Sequence, residues 1–117
     1  MDSKTIILIF LTLVVSGLIT IYAIDKPPSI EKITGPAETV ENIIASFVWD
    51  GQDPDGRVIR YEYRKDGKGW ESNGKKNTYI WTGYTEGEHT FEVRARDNNG
   101  KASEIIKWSF TYKPSYD

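Results

Sequence analysis

The sequence predicts an all-β fold: an antiparallel sandwich of about seven short strands, preceded by one amino-terminal hydrophobic helix. Three observations carry this reading. Apolar and polar residues alternate in several stretches, most clearly in residues 87–100, GEHTFEVRARDNNG, where Phe91, Val93 and Ala95 take one side of an extended chain and Glu92, Arg94 and Arg96 the other. A side-chain period of two is that of a half-buried strand. Turn-forming clusters recur between these stretches, with no helical periodicity after residue 28. Finally, residues 6–24 form a nearly continuous apolar run without a charge.

That run, IILIFLTLVVSGLITIYAI, would span roughly 28 Å as a helix, close to the hydrocarbon core of a bilayer. Ile6, Phe10, Leu13 and Leu18 would face lipid, and Tyr22 would sit at the interface. Two readings compete: an uncleaved membrane anchor and a secretory signal peptide. The run is longer than the usual signal core, and Ile21 is bulky for a cleavage site after Ala23, so the anchor is favoured. Lys4 gives a small bias toward an inside amino terminus, which places the rest of the chain outside the cytoplasm, at the cell surface. Ser16-Gly17 reads as a tolerated small pair, with close helix–helix contact as the functional alternative.

The remaining chain divides as a Pro linker over 25–28, a sandwich over 29–113 and a tail over 114–117. Pro27-Pro28 stops the helix and stiffens the linker. Residues 29–34 are a first strand, ended by Gly35-Pro36. Residues 43–49 are a second, with Ile43, Ala45, Phe47 and Trp49 on one face. A loop follows over 50–56. Residues 58–64 form a third strand with Ile59, Tyr61 and Tyr63 inward. Turns at 66–69 and at Asn73-Gly74 flank Trp70. Residues 77–81 form the next strand, with Tyr79 and Trp81 on one face, and Tyr84 caps the core. The final strand runs from 104 to about 112, with Ile106, Trp108, Phe110 and Tyr112 in register.

Composition sets bounds on function. The 117 residues carry 15 basic and 17 acidic side chains, a balance that argues against nucleic-acid partners. There is no cysteine, so no disulfide holds the domain together. Four Trp and seven Tyr supply apolar area instead, each aromatic burying about 150–250 Å². One His, no Cys and no Gly-rich phosphate loop leave no basis for catalysis, and the chain is expected not to be an enzyme.

With the strands placed, the region from about residue 28 to 113 resembles a fibronectin type III or immunoglobulin-like domain of prokaryotic surface and secreted proteins. The matching pieces are Trp49 at a strand end, the DPDG loop at 53–56, YEYR at 61–64, Trp70 after a Gly-rich turn, GEHTFEVRARDNNG with Ser103 following, and the final WSFTY. The resemblance implies the sandwich and fixes no function, because such folds serve adhesion, spacing and assembly alike. It also implies a corner-closing hydroxyl near the start of the sixth strand. His89 stands there, and is expected to donate that hydrogen bond.

In this topology the loops at 50–56 and 97–100 lie at one end. Asp50, Asp53, Asp55 and Asp97 would converge there as oxygen ligands for Ca²⁺, the one cofactor these residue types suit. Turn chemistry alone explains the same residues, and Arg57 or Arg96 could neutralise them. Trp70 and Tyr112 are candidate binding aromatics, with edge packing as the plain alternative. Arg60, Glu62, Arg64, Glu92, Arg94 and Arg96 read as a solvated face of cross-strand pairs, or as a docking face. Three functions follow: a non-enzymatic membrane-anchored module binding protein or a cell-surface polymer; a subunit of a filament, envelope or membrane complex; and a secreted carbohydrate- or protein-binding module with a cleaved leader. No prepilin-type processing site precedes the apolar run.

Overall fold

The structure, a computed structural model, describes residues 26–116. The anchor positions Ile6, Phe10, Leu13, Leu18 and Tyr22 lie outside the described residues. Within them, no helix is long and apolar enough to cross a membrane.

Eight strands run in order: β1 (Ser29–Thr34), β2 (Thr39–Val40), β3 (Ile44–Gln52), β4 (Val58–Lys65), β5 (Glu71–Ser72), β6 (Thr78–Thr82), β7 (Gly87–Asp97) and β8 (Ile106–Tyr112). They form a three-stranded sheet, β1-β3-β6, and a five-stranded sheet, β2-β8-β7-β4-β5. The count exceeds the expected seven because β2 and β5 are two-residue strands, too short to show a period. All pairs are antiparallel except β2 with β8, which is parallel.

The alternation of β7 is realised in full. Phe91, Val93, Ala95 and also Asp97 are buried, while Glu92, Arg94 and Arg96 reach the outer face. From the facing sheet, Phe47 of β3 stacks on Phe91 with centroids 4.1 Å apart. Trp49, Tyr63, Tyr79, Trp81 and Trp108 surround that pair at centroid distances of 5.2–6.3 Å from Phe91. Offset and edge-on arrangements of this kind each add about 0.5–1.5 kcal/mol beyond area burial.

Two inward assignments need correction. Ile43 precedes β3 and is 46% exposed, so the inward series begins at Ala45. On β4 a register shift between Val58 and Arg60 places Val58 against the core. Ile59 is the extra residue of that bulge, which breaks the period of two. The loop after β3 is also shorter than expected, since pairing with β1 continues to Gln52.

Two local features fix the core's rim. Tyr84 is buried beside Phe110 and donates its hydroxyl to the Asn42 carbonyl at 2.7 Å. Gly35 lies against Trp108, where any Cβ would clash with the indole ring. The two proline residues behave unequally: Pro28 is buried and Pro27 is exposed. Lys26 donates its amide to Asp55 Oδ2 at 2.8 Å, so the segment entering β1 is bound to the sandwich rather than standing away from it.

Two substitutions test this packing by chemical denaturation. Phe91→Ala should destabilise the domain by about 3–5 kcal/mol, as large core truncations do. Tyr84→Phe, which removes only the hydroxyl bonded to Asn42, should cost about 1 kcal/mol. A Tyr84→Phe loss equal to that of Phe91→Ala would contradict the assignment.

Candidate functional site

The outer face of the five-stranded sheet carries the densest side-chain network. Pairing of β4 with β7 sets Arg60 opposite Arg96, Glu62 opposite Arg94, and Arg64 opposite Glu92. Like charges placed directly opposite repel. Glu62 resolves this by reaching all three neighbouring guanidinium groups: Oε2 accepts from Arg60 at 3.0 Å, and Oε1 accepts from Arg94 at 2.7 Å and Arg96 at 3.0 Å. Desolvation opposes ionisation of Glu62, but bonds to Arg94, Arg96 and Arg60 outweigh it and hold the carboxyl below its ordinary range. Arg64 makes a two-point contact with Glu92, at 2.8 and 3.2 Å.

Trp70 lies on this face. The turn at Asp66-Gly67, both with positive φ (53° and 71°), carries the chain back toward the sheet. There the guanidinium carbons of Arg64 and Arg94 sit 4.5 and 4.0 Å from the Trp70 ring centroid. Each such contact is worth about 0.5–1 kcal/mol at a partly exposed site. The result is a half-buried aromatic plane held by two cations, on a face with four arginines and two glutamates. Tyr112 is elsewhere: it packs edge-on against Tyr84 at 5.3 Å on the inner side of the same sheet. The two candidate binding aromatics are therefore not brought together.

At the loop end, Asp53, Asp55 and Asp97 converge, and Asp50 does not. Asp50 follows inward-facing Trp49, so it turns outward, accepts from Gln52 Nε2 at 3.2 Å, and borders a hollow shared with Ser29 and Glu31. Asp97 accepts the amides of Asn99 and Lys101 through Oδ1, at 2.9 and 2.8 Å. Asp53 accepts the Asp55 amide at 3.2 Å. Desolvation raises the Asp53 carboxyl against the lowering effect of the Asp55 amide, and the neighbouring Asp55 side chain, with the charges of Asp55 and Asp97, adds to the rise. Asp55 is lowered, first by the Lys26 amide. Arg96 is engaged instead by Glu62 and by the Gly100 carbonyl. Among the described residues, no group of three or more His, Asp or Glu is spaced as a metal cage.

His89 closes the corner as expected, and does more. Nε2 faces the Thr85 carbonyl at 2.6 Å and Nδ1 faces Asp66 Oδ2 at 2.9 Å. Both ring nitrogens meet acceptors, which only the doubly protonated ring satisfies as a donor to both. The role of Asp66, which also accepts the Thr90 amide at 2.9 Å, has no signal in sequence beyond its turn propensity.

This fold and these surfaces define an immunoglobulin- or fibronectin-like β-sandwich module. The match can be made narrower: residues 53–113, just over half of the chain, match the Y_Y_Y domain, and the chain belongs to that family. No curated protein matches it. Among solved structures, the chain is similar to fibronectin(III)-like modules of Clostridium thermocellum CbhA, with 23% identity and a TM-score of 0.64 over 80% of this chain and 50% of that one. It thus spans half the length of that protein. It is similar to carbohydrate-binding modules of the β-sandwich superfamily at 15% identity and a TM-score of 0.65, over 80% and 37% of the two chains. A lipoprotein from Bacteroides thetaiotaomicron gives 16% identity and a TM-score of 0.53, over 82% and 88%. At these identities the likeness concerns fold.

His89 yields a pH test. Burial lowers its pKa, but the Asp66 carboxylate and the Thr85 carbonyl outweigh that and raise it above the ordinary value. A raised folded-state pKa contributes stability below the unfolded value of about 6.5, lost as pH rises through the folded pKa. The stability advantage of wild type over Asp66→Asn should therefore be larger at pH 5.5 than at pH 8.5, by urea denaturation at each pH. An equal gap at both would refute the coupling.

Proposed function

We propose that this chain is a non-enzymatic, membrane-tethered interaction module that works outside the cytoplasm. The observation that carries it is the placement of Lys26. Two residues after the apolar run of 6–24, the backbone is already bonded to Asp55 at one end of the sandwich. A tether rooted there holds the domain close to the bilayer and presents its sheet faces sideways. The kinship of fold with a lipoprotein and with carbohydrate-binding and fibronectin-like modules, non-catalytic kinds of domain, supports the same reading. The face that meets a partner protein is the arginine-rich one, where Trp70 is a rigid, half-buried anchor of the kind enriched at binding hot spots.

The test is made on whole cells producing the full chain. The mature mass should equal that of the uncleaved sequence, the protein should stay with membranes after alkaline wash, and added protease should remove the sandwich from intact cells or spheroplasts. Loss of about 2.5 kDa, the size of a leader, or release by the wash, would overturn the tether. Docking is read by photo-crosslinking from position 68, beside Trp70. One discrete adduct lost in Trp70→Ala supports it, and no adduct refutes it.

A further inference from the structure

The loop end holds carboxylate oxygens that the protein itself leaves without partners. Asp97 is fully buried; its Oδ1 is used by the turn, and its Oδ2 has no hydrogen-bond partner. Asp53 repeats the pattern from the opposing turn: Oδ1 accepts the Asp55 amide, and Oδ2 is buried and unpartnered. Register sets Asp97 opposite Val58, two residues after Gly56, and the next residue, Asn98, reaches Gly56 beside Asp53, so the two turns meet. Among the described residues, no Lys or Arg side chain forms an ion pair with either.

A third oxygen lies beside that of Asp53. A Cβ added to Gly56 would lie 2.6 Å from Asn98 Oδ1 and 3.4 Å from Asp53 Oδ2. Glycine at 56 thus lets both oxygens approach the same stretch of backbone, where any side chain would push Asn98 away. Asn98 Oδ1 accepts the Arg57 amide at 3.0 Å, which fixes its direction and leaves its second lone pair for another partner.

Buried carboxylate oxygens without donors are costly unless something positive sits on them. The donor set here is oxygen only, which suits a hard cation. No Cys or His contributes, which disfavours zinc. Calcium accepts an irregular shell completed by water and backbone carbonyls, whereas magnesium demands near-octahedral geometry. We propose that Asp53, Asp97 and Asn98 hold one calcium ion at the loop end, beside the root of the tether. With so few protein ligands the affinity falls in the weak range of extracellular modules, on the order of 0.1–1 mM. The site stands independently of the docking face and of the tether.

The full-length protein in detergent micelles is melted in 0–10 mM CaCl₂ at constant ionic strength, with MgCl₂ in parallel. Calcium should raise the midpoint progressively, in proportion to the logarithm of its concentration above the Kd and by about 4 °C or more at the highest concentration, and magnesium should raise it much less. Asp53→Asn keeps the turn bond through Oδ1 and should abolish the calcium response. Equilibrium dialysis with radioactive calcium should return one ion per chain, lost in Asp53→Asn. Asp97→Asn is the weaker variant, since Asp97 also holds its own turn. A flat titration, an equal rise with magnesium, or an undiminished response in Asp53→Asn would each overturn the site.

Discussion

The stacking of Phe47 on Phe91 is the contact on which the rest depends. It joins the two sheets at their centre in a chain without cysteine, where no covalent bond can do so. Once Phe91 is inside, the period of two sets everything else on β7. Val93, Ala95 and Asp97 must follow it inward, and Glu92, Arg94 and Arg96 must face out. Hydrogen bonding to β4 and β8 on either side then locks this parity into the whole sheet. The arginine face and the buried carboxylate are thus two products of one aromatic contact.

Most of the strands were legible in sequence, because a half-buried strand announces itself by alternation. Phe47 and Trp49, Tyr61 and Tyr63, Tyr79 and Trp81, and Trp108 and Phe110 all face the core as their spacing requires. Ile59 misled because a bulge is an interruption of the period and leaves no mark on it. β2 and β5 were invisible for want of length. Of the loop aspartates, Asp50 was separable from the others by parity alone, had β3 been read three residues further, to its end at Gln52. Glu62 illustrates a different gap. Its pairing partners follow from strand order, but its reach to three arginines depends on side-chain conformation, which no pattern encodes. The link from His89 to Asp66 spans two elements and is equally silent in the sequence.

The two outer surfaces of the sandwich differ in kind. The five-stranded sheet shows arginine and glutamate. The three-stranded sheet shows Ile44 and Ile80, each more than half exposed, among the hydroxyls of Ser46, Thr78 and Thr82. A fold that serves many functions takes its particular role from such surface choices. Here arginines and a held aromatic mark one side, and exposed isoleucines among hydroxyls, with Glu31 opposite Asp50 at the edge, mark the other.

Strand direction has a mechanical consequence. Ser29 begins β1 at the loop end, beside Gln52, whereas β8 finishes at Tyr112 beside Gly87, at the far end. Tension between a point before Ser29 and one after Tyr112 runs along the strands. Ladder hydrogen bonds lie across that direction, so a load is shared by many at once instead of opening them singly. A load applied between those two points would therefore meet the ladders in shear.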